Sequence, residues 1–193
     1  MRILLARHGE TDWNAATRIQ GASDTDLNDK GRSQAEELSR RLEASGEKID
    51  VCYASPKRRA FETAEIVCRH LGLTPIPAED LREVSFGVWE GHTWAEVDEM
   101  WPEEYQAYQE DRMKVAPPGG ESLGDALRRI LPALDAIAAG PGETALAVCH
   151  SGVIRAVLGW QAGVPFDNKT LYRFNVPNAQ WVAVEWDRTG ENR

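Results

Sequence analysis

The chain has few cysteines, and they show no pairing pattern. Its 193 residues include three, Cys52, Cys68 and Cys149, and none belongs to a Cys-x-x-Cys motif. An odd number of cysteines without that spacing favours neither a disulfide framework nor a zinc knuckle. We therefore interpret all three as small buried apolar residues, near strands and a helix.

Long apolar runs and an excess of basic residues are also missing. The apolar run Ile3-Leu4-Leu5-Ala6 is too short for a signal peptide or a membrane span, and charge follows it at once. The 22 Lys and Arg against 31 Asp and Glu give a net charge of −9, which disfavours binding to nucleic acid or to an anionic membrane. We expect a cytoplasmic protein in which any anionic ligand must meet a local cationic pocket.

No linker, low-complexity tract or internal repeat divides the chain. This length suits one well-cored domain, and 42% hydrophobic residues with seven Trp argue against disorder. Short β-rich runs alternate with helical patterns, which is typical of an α/β fold with helices on both faces of a parallel sheet. The sequence predicts a single domain over residues 1–193, built as a three-layer αβα sandwich with a mostly parallel central sheet.

Residue periodicity locates the individual elements. Strands are predicted near residues 2–6, 50–54, 145–148 and 180–185. Apolar stripes predict helices over 29–44, over 60–71 before Gly72, over 123–137 and over 153–160. We expect Pro132 to bend the third helix or to delay its start, because proline lacks the backbone N–H that a helix interior needs.

A segment at about 92–118 differs from the rest of the chain. It carries two Trp, two Tyr and many carboxylates, and it returns through Pro117-Pro118-Gly119-Gly120. Ligands of open α/β sheets bind outside the carboxyl ends of the strands, so a helical excursion over that edge would wall the pocket. A solvated acidic helix unconnected with the site is the alternative. His92, at the start of the segment, is an open candidate for the pocket wall.

Two predicted strands end in nearly the same way. The first runs into Arg7-His8-Gly9, and the strand over 145–148 runs into His150-Ser151-Gly152. Both imidazoles should project from one edge of the sheet, and a third strand feeds Arg59 to the same edge. Guanidinium groups bind phosphate oxygens, and helix N-termini add oriented N–H donors. The joint arrangement predicts a site that binds and attacks a phosphoryl group.

Further motifs extend over nearly the whole chain, and their order is that of a known family. They are Arg7-His8-Gly9-Glu10-Thr11 with Asn14, Gln20-Gly21, Ser55-Pro56 with Arg59-Ala60, Leu81-Arg82-Glu83, Phe86-Gly87 with Trp89-Glu90-Gly91, Gly120-Glu121-Ser122, and His150-Ser151-Gly152. The chain resembles the histidine phosphatase superfamily, in the branch that includes the cofactor-dependent phosphoglycerate mutases. It is most similar to small bacterial phosphatases of the α-ribazole phosphatase and broad-specificity types.

This resemblance implies a fold, an activity and a role for each site residue. The fold would be phosphoglycerate mutase-like, and the activity would be hydrolysis of a small-molecule phosphate ester without a metal or a cofactor. His8 would be the nucleophile that becomes phosphorylated, with Arg7, Arg59 and His150 around the phosphoryl group and Glu83 as general acid and base. The implied substrate-binding residues are Arg7, Thr11, Asn14, Gln20, Gly21, Arg59, His150 and Ser151.

General chemistry supports these roles for the two histidines and the carboxyl group. A neutral imidazole, with an ordinary pKa of about 6.5, is mostly deprotonated at pH 7 and attacks phosphorus without a metal. We expect His150 to donate to a phosphoryl oxygen, best when a nearby dianion keeps it protonated. The apolar neighbours Val84 and Phe86 would keep part of Glu83 protonated near neutrality. The alternative for Glu83 is a surface ion pair with Arg82.

Three other interpretations stay open. Mutase-type phosphoryl transfer would use the same pocket, although the short acidic excursion favours hydrolysis. A module that only binds a phosphorylated ligand would need the same residues, because a pocket does not guarantee turnover. A metal-dependent hydrolase has little support, because no His-x-His, His-x-x-x-His or His-Glu-x-x-His spacing occurs. The natural substrate and the oligomeric state, monomer or homodimer, do not follow from the sequence.

Overall fold

A five-stranded sheet forms the centre of the protein, in a computed structural model that describes residues 1–187. Its strands are β1 (Arg2–Arg7), β2 (Val51–Ala54), β3 (Pro75–Pro77), β4 (Thr144–Cys149) and β5 (Trp181–Glu185), in the order β3-β2-β4-β1-β5. The first four strands are parallel, and β5 is antiparallel to β1. The mostly parallel sheet is as predicted. The edge strand β3 escaped prediction because Pro-Ile-Pro carries no strand pattern.

Helices cover both faces of the sheet. They are α1 (Asp12–Ala15), α2 (Asp29–Ala44), α3 (Arg58–Leu71), α4 (Trp94–Met100), α5 (Pro102–Glu110), α6 (Leu123–Ala139), α7 (Ser151–Gln161) and α8 (Asn168–Leu171). Successive residues of β1 face opposite sides, as the pleat requires. Ile3 and Leu5 belong to the core under α6 and α7, whereas Leu4 and Ala6 belong to the core under α2 and α3. The α/β sandwich is thus confirmed.

Helix α6 begins well before the proline it contains. The Ser122 side chain caps it by accepting from the Asp125 backbone N–H, and the helix runs from Leu123 to Ala139 with Pro132 inside. The expectation of a late start at Pro132 is wrong, because a buried stripe continues through the proline and the proline itself lies on the exposed face. Tertiary packing of that stripe outweighs the local cost of proline.

The sequence predicted neither a disulfide framework nor a membrane span. Cys52, Cys68 and Cys149 are free and buried, which confirms their interpretation as apolar core residues. Within residues 1–187, no helix has the length and apolar character that crossing a membrane requires.

The segment at 92–118 contains α4 and α5 and packs aromatic side chains into the main hydrophobic core. Tyr108 is 1% exposed, and its ring packs edge-on against the rings of Trp89 and Phe86. Trp94, the first residue of α4, stacks on Tyr108 at an interplanar angle of 11°. This core fixes α4 and α5 against the turn around Gly87–Trp89, which follows Glu83 closely in the chain.

Candidate active site

A cavity of about 250 Å³ opens at the carboxyl ends of the central strands. The predicted site residues that line it are Arg7, His8, Asn14, Gln20, Gly21, Arg59, Glu83 and Ser151. His150 is not among the lining residues; it is fully buried, with its ring centroid 5.2 Å from that of His8. Thr11 does not line the cavity. It caps α1, and its hydroxyl donates to Gln20 Oε1 at 2.9 Å.

His8 follows β1 directly and is 3% exposed. Its Nδ1 lies 2.6 Å from the Gly9 carbonyl oxygen. A carbonyl oxygen can only accept, so Nδ1 carries the hydrogen and Nε2 keeps its lone pair. Burial, together with the charges of Arg59 and Arg7, lowers the pKa of His8 well below its usual 6.5. At neutral pH His8 is therefore a neutral imidazole with its Nε2 available as a nucleophile.

Two arginines flank the nucleophile, Arg59 fully buried and Arg7 half-buried. The Arg59 guanidinium, near the start of α3, donates to the backbone oxygens of Ser23 at 2.7 Å and Gly21 at 2.9 Å. Arg7 donates from Nη1 to the Val176 oxygen at 3.0 Å. Burial lowers the pKa of both guanidinium groups, that of Arg7 to about 10, which leaves Arg7 cationic at neutral pH. Arg58, by contrast, is an exposed cation that pairs with Asp24 and Asp26.

Three buried nitrogen atoms around this cavity have no hydrogen-bond partner among the described residues. They are Arg7 Nε, Arg59 Nε and His150 Nδ1. Buried polar groups are nearly always hydrogen-bonded, so three exceptions at one site call for a ligand that would bond them. The two guanidinium nitrogens can only donate. A tetrahedral oxyanion, with several acceptor oxygens and negative charge, fits this set.

Glu83 lies in the cavity wall and is 8% exposed. Its Oε1 accepts from the Val84 N–H at 2.9 Å, and its Oε2 accepts from the Gly152 N–H at 3.2 Å, in the first turn of α7. A Cβ on Gly152 would come within 2.5 Å of Glu83 Oε1, so only glycine permits this approach. Arg82, weighed as an ion-pair partner for Glu83, instead lies 3.4 Å from Asp80. Glu83 is thus a buried carboxyl group at the site, not a surface one.

Asn178 links His8, Gly9 and Asn14, although no sequence motif contains it. Its Nδ2 lies 3.0 Å from the His8 oxygen, 3.2 Å from the Gly9 oxygen and 3.1 Å from Asn14 Oδ1. Asn14 Oδ1 also accepts from the Thr11 N–H at 3.3 Å, so the Asn14 amide nitrogen is left to donate into the cavity. The position of Asn178 in the sequence could have pointed to it. Asn178 comes shortly before β5, and because β5 is antiparallel to β1, the start of β5 lies beside the end of β1, which His8 follows.

Glu90 joins two walls of the cavity. Its Oε1 accepts from the backbone N–H groups of Ala22 at 2.8 Å and Phe86 at 3.0 Å. Its Oε2 accepts from the Ser23 N–H at 2.9 Å and the Ser23 hydroxyl at 2.6 Å. The loop that binds Arg59 is thereby held against the segment that carries Glu83. In the sequence, Glu90 stands out only as part of the motif Trp89-Glu90-Gly91.

Six further residues line the cavity and were not among the site residues predicted from the sequence. They are Arg18, Ile19, Phe86, Trp94, Arg155 and Asn175. Through Trp94, the 92–118 segment reaches the cavity. His92 does not line it, and its ring packs against Trp101 at 5.4 Å. Arg155 lies one helical turn after Ser151, with its Nε 3.3 Å from the Ser151 oxygen, so helical spacing could have found it.

A second cavity, of about 260 Å³, adjoins the first and shares Trp94 and Arg155 with it. Its remaining lining residues are Tyr105, Gln109, Arg112, Asn168 and Tyr172. Arg112 is 5% exposed and donates from Nη2 to Gln109 Oε1 and Asn168 Oδ1, each at 2.7 Å. Its guanidinium lies 4.6 Å above the Tyr108 ring. Each cavity is smaller than the roughly 300–1,000 Å³ of ordinary ligand pockets, whereas the two joined fall within that range.

The described residues contain no cluster of three His, Cys, Asp or Glu side chains suited to a metal ion.

The chain belongs to branch 1 of the histidine phosphatase superfamily, whose model matches residues 3–192. It is 42% identical over 158 residues to phosphoglycerate mutase-like protein 4 of Arabidopsis thaliana, covering 80% of this chain and 68% of the relative. It is 31% identical to phosphoserine phosphatase 1 of Hydrogenobacter thermophilus, covering 97% and 87% of the two chains.

Similarity to a solved structure supports the same family and fold. A mycobacterial glucosyl-3-phosphoglycerate phosphatase, solved in complex with VO3, superposes with a TM-score of 0.85 at 32% identity, covering 95% of this chain and 92% of that one. The family, the phosphoglycerate mutase-like fold and the phosphatase class predicted from the sequence are thereby confirmed.

Proposed function

We propose that this protein hydrolyses a small phosphate monoester through a phosphohistidine intermediate on His8. The observation that carries the proposal is the pairing of a neutral, correctly oriented His8 with the three unpartnered nitrogens of Arg7, Arg59 and His150. These groups supply a nucleophile and a set of charged and neutral donors for the phosphoryl oxygens. A metal ion is not needed to activate an imidazole that is already neutral.

Two steps account for the reaction. In the first, the His8 Nε2 lone pair forms a bond to phosphorus while the ester P–O bond breaks, and the leaving oxygen takes a proton from Glu83. In the second, the Glu83 carboxylate accepts a proton from water, the water oxygen attacks phosphorus, and the P–N bond breaks to release phosphate. Arg7 and Arg59 stabilise the charge on the phosphoryl oxygens in both steps.

The first experiment tests the nucleophile and the cationic clamp. We expect His8→Ala to lower kcat for an aryl phosphate by at least about 10³-fold, and the wild type to form an acid-labile phosphoenzyme. Arg59→Ala should lower kcat/KM strongly, because Arg59 is buried at the site. Arg58→Ala is the matched control, since Arg58 is an exposed surface cation, and it should leave turnover unchanged.

Three further outcomes separate this proposal from its alternatives. Activity that disappears on chelation with EDTA would support a metal-dependent hydrolase instead. Phosphoryl transfer to phosphoglycerate faster than release of inorganic phosphate would identify a mutase. Phosphate binding without turnover of any ester would identify a binding module. Unchanged hydrolysis in His8→Ala would contradict the proposed intermediate.

The role of Glu83 predicts a dependence on the leaving group. A proton donor matters most when the departing alkoxide is a strong base, so Glu83→Gln should slow alkyl phosphates much more than nitrophenyl phosphate. The comparison of kcat for glycerol 3-phosphate and nitrophenyl phosphate measures this difference. An equal loss on both esters would assign Glu83 to positioning instead of proton transfer.

The second cavity supports a proposal for the alcohol part of the substrate. Arg112 donates hydrogen bonds to the amide oxygens of Gln109 and Asn168, so the NH2 groups of these two side chains are available as donors at the second cavity. With Arg112 and Arg155, the polar lining offers hydrogen-bond donors for an anionic oxygen group. A relative acts on phosphoserine, according to its name, and phosphoserine carries a carboxylate. We propose that this chain also prefers esters whose alcohol part carries an acidic group.

A matched substrate pair tests this preference. 3-Phosphoglycerate carries a carboxylate where glycerol 3-phosphate carries a hydroxymethyl group. We expect kcat/KM to favour 3-phosphoglycerate in the wild type, and Arg112→Met to remove most of that advantage, roughly 10- to 100-fold, while sparing glycerol 3-phosphate. Equal loss on both substrates would show that Arg112 only supports the fold.

A further inference from the structure

Ser55, at the end of β2, contacts His150 and no role has yet been given to it. Ser55 and His150 are both fully buried. The Ser55 hydroxyl oxygen lies 2.8 Å from His150 Nε2 and 3.3 Å from the Lys57 backbone nitrogen. The backbone N–H of Lys57 can only donate, so the hydroxyl oxygen accepts there. The remaining question is which partner supplies the hydrogen between Ser55 and His150.

The hydrogen between Ser55 and His150 belongs either to the Ser55 hydroxyl or to His150 Nε2, and the remaining hydrogen-bond partners distinguish the two arrangements. If Nε2 carried the hydrogen, the Ser55 oxygen would accept twice, and its own hydrogen would have no acceptor among the described residues. His150 Nδ1 would then also be an unprotonated buried nitrogen without a donor. If the hydroxyl donates to Nε2, the hydroxyl is satisfied and the ring hydrogen lies on Nδ1. Buried polar groups are overwhelmingly satisfied, which favours the second arrangement.

The position of this hydrogen matters because His150 has only one to offer. Burial, with the charge of Arg59, lowers the pKa of His150 well below its usual 6.5, so the free imidazole is neutral at pH 7. The His150 ring lies 5.2 Å from the His8 ring, and its Nδ1 is one of the three unpartnered nitrogens around the cavity. Because Nε2 is paired with Ser55, Nδ1 is the ring nitrogen left for a ligand, and it can donate to an oxyanion only if it carries the hydrogen.

We infer that Ser55 is a positioning residue that holds neutral His150 as the Nδ1–H tautomer, so that His150 donates to a phosphoryl oxygen without becoming an imidazolium. This differs from the expectation that His150 works best when protonated. The catalytic consequence rests on the proposed function, whereas the tautomer is a property of the protein without substrate.

Nitrogen-15 NMR of histidine-labelled protein tests the tautomer directly. The His150 signals, assigned by their loss in His150→Asn, should show a protonated Nδ1 and an unprotonated Nε2 at pH 7. Ser55→Ala should move the hydrogen toward Nε2. Ser39→Ala is the matched control, because Ser39 is equally buried and its hydroxyl has no partner in the described structure. A wild-type Nε2–H, or an unchanged tautomer in Ser55→Ala, would overturn the inference.

Kinetics test whether Ser55 acts through His150. We expect Ser55→Ala to lower kcat/KM for an aryl phosphate by about tenfold, as for one lost hydrogen bond in the transition state, and Ser55→Thr to restore most of it. In a His150→Ala background, Ser55→Ala should cost nothing further. Additive losses would refute the coupling. If the wild type hydrolyses no ester at all, the proposed function fails, but the NMR result still decides the tautomer.

Discussion

At the scale of single residues, one carbonyl oxygen organises the nucleophile. The Gly9 oxygen lies within hydrogen-bond distance of both His8 Nδ1 and Asn178 Nδ2. The first contact fixes the tautomer of His8, and the second ties the loop before β5 to the same peptide. Because Asn178 also orients the Asn14 amide, one side chain aligns the nucleophile with a phosphate donor. Correct placement of reacting groups contributes strongly to catalysis, so small losses of alignment are costly.

Replacement of Asn178 should therefore lower activity without touching the substrate. We expect Asn178→Ala to reduce kcat/KM for an aryl phosphate about tenfold. Asn178→Asp should be worse despite its similar shape, because a carboxylate cannot donate to the three oxygen atoms that Asn178 contacts. Steady-state kinetics with thermal unfolding as a control would measure this. Wild-type kcat/KM in Asn178→Asp would contradict the assigned role.

At the scale of elements, two effects shape the protein. The ends of parallel strands place the proposed catalytic residues side by side, and tertiary packing outweighs the local helix propensity of proline. β1, β2 and β4 are neighbours in the sheet, so the residues that follow them meet at one edge. Helix α6 shows the second effect, since it continues through Pro132 because its buried stripe packs against the sheet. A proline inside a helix removes one backbone hydrogen bond, so α6 retains a local weakness on its exposed face.

That weakness predicts a stabilising substitution. Pro132→Ala should raise the free energy of unfolding by roughly 1–2 kcal/mol, since it restores a helical hydrogen bond. Part of the gain is lost because alanine leaves the unfolded chain more conformational entropy than proline does. Urea denaturation measures the change. Pro102→Ala is the matched control, because Pro102 opens α5, where proline is tolerated, and it should change stability by less than about 0.5 kcal/mol. A loss of stability in Pro132→Ala would contradict this account.

At the scale of the whole molecule, a chain of net charge −9 gathers several arginines and two buried imidazoles around one cavity. Burial lowers the pKa values of His8 and His150 well below 6.5. The unfolded chain therefore binds protons below about pH 6.5 that the native protein does not bind. Stability should consequently fall as the pH drops below about 6.5, by up to about 1.4 kcal/mol per pH unit for each imidazole.

Removal of one imidazole tests this pH dependence. In His150→Asn, the free energy of unfolding should depend less on pH between pH 5 and 6.5 than in the wild type, with a slope smaller by up to about 1.4 kcal/mol per pH unit. Urea unfolding across this range measures the slope, and the same variant at pH 7.5 supplies the reference where both states are neutral. An unchanged slope would show that native His150 titrates like its unfolded counterpart.

The sequence by itself determined the motifs and the strand ends that carry them. Arg7-His8-Gly9, Arg59 and His150 could be assigned to one edge because strands and helices alternate along the chain, and this alternation is a local pattern. Only the tertiary structure decided the hydrogen-bond partners. Asn178 before β5, Glu90 between two walls and Ser55 against His150 act across long sequence separations, which no local pattern records. These contacts depend on how the sheet and its loops pack, and they hold in place the side chains on which the chemistry depends.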